Sequence, residues 1–124
     1  MSGTVRPQTA SMSGRKFPRR GEIYWVDLEP TRGGETQKKR PCLIISNDTG
    51  NELSKVVIIA PITSKVLRIY PFEVATMIDG KDAKIMINQC RAVDKSRLLG
   101  SLGSIDDDTL DLVEEAIRVV FAIY

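Results

Sequence analysis

From residue 21 onward, short apolar runs alternate with turn-forming residues at a spacing that suits strands. GEIYWVDL (21–28) lacks clean alternation but is rich in aromatic and β-branched residues, which favours a strand. Pro30 and Gly33-Gly34 then punctuate a loop. PCLIIS (41–46) reads as a second strand that opens on Pro41, a position where a missing N–H is tolerated. NDTGNELS (47–54) is turn-rich, combining Gly50 with side chains that bond their own backbone. KVVIIAPITS (55–64) is the most apolar segment and is expected at the centre of the sheet. PFEVAT (71–76) and AKIMINQC (83–90) flank Asp79-Gly80, a strong turn signal, and read as a hairpin.

The period changes near the C-terminus. Asp94 is placed to cap a short helix over KSRLL, which Gly100 would stop, and SLGSI (101–105) reads as an edge strand. Ser104 and Asp107 resemble a capping box, and Asp106–Asp108 put negative charge at a helix start. From there to Tyr124 the apolar residues recur at helical spacing. Leu110, Val113, Ile117 and Val120 form one stripe, with Leu112, Ala116, Val119 and Ile123 beside it. So wide an apolar arc suits a helix that packs on a sheet and also joins a dimer contact, though a broad core face explains it almost as well. Five or six short strands with one terminal helix predict a mainly β fold with helices (α+β). The expected form is a small, strongly bent antiparallel barrel carrying a C-terminal α-helix.

Length and composition narrow this further. A chain of 124 residues with 42% apolar content is one domain with enough core to fold. The longest apolar run, Val56 to Ala60, is far too short to span a bilayer, and residues 1–20 contain no apolar signal segment. A cytoplasmic protein without membrane association is expected. Residues 1–19 read as a flexible basic arm, either native or left from an expression vector, and 20–124 as the folded domain.

The net charge of +2 hides an asymmetry. Residues 1–20 carry five basic and no acidic side chains, so the rest of the chain is at −3. Any polyanion site must therefore be a local patch rather than a whole-protein field. Cys42 and Cys90 are too few for a disulfide scaffold, and no Cys or His cluster offers a zinc site; no metal and no cofactor is expected. The chain contains no histidine, which removes every His-dependent triad and the two-histidine route to RNA cleavage.

The stretch GGETQKKRPCLII (33–45) places three cations directly before an apolar run. Arg40 stands where a loop meets a strand, and its planar fork suits phosphate oxygens. Gly33 and Gly34 would let a backbone approach a ligand closely. Simple solvation explains Lys38 and Lys39 well, and for Arg40 the two readings are balanced. Thr63, followed by Ser64 and Lys65, either caps the next turn or bonds a phosphate beside Arg40. Glu35 is either a surface carboxylate or a base near those cations. Gln89 and Arg91 bracket Cys90 on an expected strand, so both would face one side and need solvent or a ligand.

Taken together, RRGEIYWVDLEPTRGGETQKKRPCLIISND, APITS, YPFEV and NQCRAVDKSRL resemble the successive blocks of the MazF/PemK family of toxin endoribonucleases, in order from about Arg20 to Tyr124. The resemblance implies an SH3-like barrel with a terminal helix, forming a homodimer. It implies metal-independent cleavage of single-stranded RNA at short sequences, blocked by a cognate antitoxin protein. The family's loop arginine before proline falls on Arg40, its hydroxyl after the central strand on Thr63, and its loop carboxylate on Glu35. Its base-contacting positions fall on Ser46, Asn47, Asn88 and Gln89, while Lys38 and Lys39 become steering charges at the rim. The plasmid-borne PemK branch has an arginine and an aspartate where this chain has Met86 and Asn88, so that branch's acid–base scheme does not carry over.

Two other functions remain. Gyrase poisons of the CcdB type resemble this family in fold but act through a C-terminal tryptophan, whereas the single tryptophan here, Trp25, lies inside the first predicted strand. A barrel that binds RNA without cutting it would retain RNA and create no new ends.

Overall fold

Strand β2 (Glu22–Asp27) shows why its sequence alternates imperfectly. It pairs with β8 (Leu98–Ile105) through two register shifts, between Ile23 and Tyr24 and between Trp25 and Val26. The extra residues of both shifts lie on β8, so β2 keeps its own alternation: Ile23 and Val26 point to opposite faces and are fully buried in different apolar clusters, while Trp25 is partly exposed. The computed structural model describes residues 3–6, 17–28 and 39–124. Its other elements are β1 (Gly3–Arg6), β3 (Lys39–Ile44), α1 (Asp48–Leu53), β4 (Val56–Thr63), β5 (Glu73–Ile78), β6 (Lys81–Met86), β7 (Arg91–Asp94) and α2 (Asp107–Phe121).

The strands run in the order β3-β2-β8-β1-β5-β6-β4-β7, and β3 also pairs with β4, so the sheet curls back on itself. The expected mainly β barrel with a terminal helix is the fold observed. β4, the most apolar strand, bonds to β3, β6 and β7 and sits at the centre as its sequence suggests. Four residues of the segment read as an arm, Gly3–Arg6, form β1, which pairs parallel with β5 and antiparallel with β8.

Two apolar clusters fill the two faces. Ile23, Leu43, Ala60, Ile62, Val74, Ile85 and Ile105 form the larger one, onto which α2 lays Val113 and Ala116. Val26, Cys42, Ile44, Val57, Ile59 and Val93 form the other. Of the two helical stripes, the one through Leu110, Val113, Ile117 and Val120 faces the core. In the second stripe only Ala116 is buried, and Leu112, Val119 and Ile123 remain exposed. No helix among the described residues is long and apolar enough to cross a membrane.

Several local expectations change. Residues 48–53 are a helix rather than a turn, because Asn47 caps it by accepting from Gly50 N at 2.7 Å. β3 begins at Lys39, two residues before Pro41; there the strand is paired only with β2, so the proline's missing donor faces no second neighbour. The hairpin strand β6 stops at Met86, and Ile87–Gln89 forms a 3-10 turn, so Gln89 and Arg91 do not share a strand. Asp94 caps a 3-10 turn over Lys95–Arg97 rather than an α-helix, and β8 runs through Gly100. α2 is capped by Asp106, which accepts from Thr109 N at 2.8 Å, and not by Ser104.

Candidate functional site

The β3–β4 ladder brings Arg40 and Thr63 together. That ladder ends at the Cys42–Pro61 pair, and Arg40 and Thr63 each lie two residues beyond it, at the same end. Arg40 lies opposite Val26 of β2, whose side chain is fully buried, so its backbone is anchored. Thr63 ends β4, where its Oγ1 accepts a hydrogen bond from Lys65 N at 3.2 Å. That bond fixes the turn and leaves the hydroxyl proton free to donate. Both roles weighed for Thr63, turn cap and phosphate donor, are thus compatible.

Both residues line an open cleft of about 590 Å³. Trp25, Arg40 and Pro41 come from β2 and β3, and Ile62, Thr63, Ser64 and Lys65 from the end of β4. Ile78, Asp79, Lys81, Asp82 and Ala83 come from the β5–β6 hairpin. The hairpin is braced from behind by a mostly buried pair, Lys84 Nζ to Glu73 Oε1 at 2.9 Å. Lys84 Nζ also donates to Arg68 O at 2.8 Å, which ties down the loop after the cleft. Among the described residues, no hydrogen bond or ion pair engages the side chains of Arg40, Lys65 or Lys81. Cations anchored on strands or just past a strand end, around a concave surface, attract an anion more effectively than mobile ones, because their positions are set before it arrives.

The thiols do not compete for a chemical role. Burial pushes Cys42 up to about 12, with the Arg40 and Arg91 guanidiniums pulling weakly the other way. Burial also raises Cys90. Both are protonated near neutrality and lack the thiolate that nucleophilic attack requires. Among the described residues no group of three or more Cys, Asp or Glu converges as a metal site.

The sequence profile of the PemK-like, MazF-like toxins of type II toxin–antitoxin systems matches residues 19–121. The chain belongs to this family. Endoribonuclease EndoA of Bacillus subtilis (strain 168) is 37% identical over 112 residues, covering 85% of this chain and 95% of that protein. The crystal structure of MazF from Deinococcus radiodurans superposes with a TM-score of 0.73 at 26% identity, covering 87% of this chain and 99% of that one. An endoribonuclease from a mycobacterial species, solved with its cognate antitoxin, shares the fold at a TM-score of 0.73 and 22% identity, covering 86% and 97%.

Within this PemK-like toxin the positions singled out from sequence separate into groups. Arg40, Thr63, Ser64 and Lys65 meet in the cleft. Gly33, Gly34, Glu35 and Lys38 lie outside the described residues. Lys39 is exposed on β3 and does not line the cleft. Arg91 opens β7 and reaches the field of Cys42 alongside Arg40. Asn88 and Gln89 are exposed on their 3-10 turn, away from the cleft lining. Ser46 and Asn47 are engaged by the fold. The Ser46 hydroxyl bonds Asn51 Oδ1 and accepts from Ile58 N at 2.9 Å, while Asn47 caps α1. Sequence reasoning did not single out Trp25, Asp79, Lys81 or Asp82. The Asp79-Gly80 turn was legible, but nothing local says that a turn's side chains will close one side of a cleft formed by residues some forty positions earlier.

Proposed function

We propose that this toxin is a sequence-specific endoribonuclease that cleaves single-stranded RNA, mRNA in particular, in the cytoplasm without a metal or cofactor, and so inhibits translation and growth. The observation that carries this reading is that the Arg40 guanidinium, unpaired among the described residues, and the Thr63 hydroxyl line one open cleft. Cleavage by attack of the ribose 2′-OH on the adjacent phosphorus builds negative charge on the phosphorane oxygens. Arg40 supplies hydrogen-bond donors and a full positive charge to those oxygens. Thr63 donates its free proton to a second phosphate oxygen and fixes the orientation. Glu35 is the carboxylate assigned to take the 2′-OH proton. The new 2′-O–P bond displaces the 5′-oxygen, which takes its proton from water in the open cleft, giving a 2′,3′-cyclic phosphate and a 5′-hydroxyl. An A-form duplex resists the in-line geometry of this attack, so unpaired RNA is the substrate.

The toxin works as a homodimer controlled by a cognate antitoxin protein. The exposed apolar side chains Leu112, Val119, Phe121 and Ile123 on and after α2 support a second copy as their cover. Fragment mapping in EDTA tests the activity: discrete cuts with 2′,3′-cyclic phosphate ends, slowed about a hundredfold or more in Arg40→Ala, are expected. Cuts that require a divalent cation, or that Arg40→Ala makes at an unaltered rate, would overturn the assignment.

A further inference from the structure

The cleft contains an aromatic group that phosphate chemistry leaves unused. Trp25 is 41% exposed on a strand where Ile23 and Val26 are fully buried. It lines the cleft beside Arg40 and Pro41, and Pro41 is its ladder partner. An indole left partly exposed at the edge of a cationic cleft presents a flat apolar face with nothing stacked on it in the ring contacts among the described residues. Across the cleft stands the tip of the β5–β6 hairpin. Asp79 and Gly80 both have left-handed backbones, φ +53° and +74°, as a tight two-residue turn requires. Asp79, Lys81 and Asp82 line the cleft, and no hydrogen bond or ion pair ties their side chains to the described residues.

A polyanion cannot run its phosphates along two carboxylates. Its backbone is therefore confined to the side of Arg40, Thr63 and Lys65, and its bases turn toward Trp25 and the hairpin. We infer that Trp25, Asp79, Lys81 and Asp82 form a nucleobase subsite, with the indole as the stacking surface and the hairpin as the reader of the base edge. Ionised carboxylates only accept and an ammonium only donates. Two carboxylates with one ammonium complement guanine best, since its N1–H and amino group donate while O6 accepts. Cytosine and adenine offer an amino group each and rank next. Uracil, one N–H between two carbonyls, ranks last. The inference rests on the RNA-cleaving reading above and adds a specificity-determining site to it.

Trp25 is the only tryptophan in the chain, so its fluorescence reports stacking without a label. The full chain is titrated with short 2′-O-methyl oligouridylates, which cannot be cleaved, carrying G, C, A or U at the centre. Quenching is expected, with the G probe binding roughly tenfold more tightly than the all-U probe, the discrimination one good polar pairing supplies. Asp79→Asn/Asp82→Asn should reduce that preference to about twofold or less at an unchanged melting temperature. Trp25→Ala should weaken binding about tenfold, and Trp25→Phe should recover most of it. Equal affinity for G and U probes, or no quenching, in a protein that still cuts unmodified RNA would overturn the subsite and leave the nuclease reading standing. Quenching with the expected base order, in a protein that cuts no RNA, would support the subsite and overturn the nuclease reading.

Discussion

Two arginine-bearing regions of this toxin carry the same side chain to opposite ends. At the edge of the barrel, Arg19 pairs with Asp48 at 2.9 Å and lies over the Phe17 ring at 5.4 Å. Arg20 pairs with Glu114 at 2.8 Å and donates to Ile45 O at 3.1 Å. These two guanidiniums tie the start of the domain to α1 and α2. Arg40, in the cleft, has no such partner among the described residues. A paired arginine spends its donors on the fold, whereas an unpaired one on a rigid strand keeps them for a ligand. The contrast teaches that partner content, rather than residue type or local charge density, separates a structural cation from a binding one.

The largest expected effect tests the cleft side. Arg40→Ala should slow RNA cleavage a hundredfold or more, corresponding to about 3–4 kcal/mol of transition-state stabilisation. Its melting temperature should match the wild type, because no partner is left behind. A large fall in melting temperature with cleavage intact would reverse the comparison. Next come the polar groups engaged by the fold. Asn51 is fully buried and donates to Ser46 O at 2.9 Å, so Asn51→Ala should cost about 2–3 kcal/mol in urea unfolding. Ser46→Ala should lose about 1 kcal/mol of stability and little catalytic rate. Lost base preference at unaltered stability would instead return Ser46 to the RNA site.

Arg20→Met should have a smaller effect, roughly 1 kcal/mol, since both partners of its ion pair are partly exposed and water screens them. Calorimetry should show a melting point lower by a few degrees, with cleavage of a saturating RNA unchanged. The smallest effect lies at alkaline pH. Burial, and then the Glu22 charge and hydrogen bond, raise Tyr24 to about 12, and burial raises Cys42 to a similar value. Both acids hold their protons more tightly folded than unfolded. Their contribution is therefore complete below about pH 9, the unfolded thiol's range, and is lost as pH climbs toward 12. Urea midpoints measured from pH 8 to 11 should fall, and Tyr24→Phe/Cys42→Ala should flatten the fall.

Much of the barrel was legible before any coordinates. β4, the Asp79-Gly80 turn and α2 each carry a local signal strong enough to stand alone: an unbroken apolar run, a dipeptide suited to positive φ, and a helical period. The weaker readings failed where two local signals compete. Asn47, Asp48 and Gly50 suit a turn as well as a capped helix, and the buried Asn51 contacts decide for the helix. KSRLL suits a short helix, yet pairing with β2 draws Leu98 and its followers into β8. Trp25 was legible as a strand aromatic but not as a cleft residue, because the residues that face it across the cleft come from the end of β4 and the β5–β6 hairpin, some forty to sixty positions later.

The sequence by itself determined the fold class, the family and the exclusion of histidine chemistry, since each depends on residue identity and spacing along one chain. It also marked Arg40 and Thr63 as a pair of interest. Only the tertiary structure decided that they line one cleft, that Arg19 and Arg20 are consumed by ion pairs, and that the hairpin closes the cleft with two carboxylates. Charge and hydrogen-bonding capacity are properties of a residue. Whether they are already satisfied depends on residues distant in sequence, and folding alone brings those into reach.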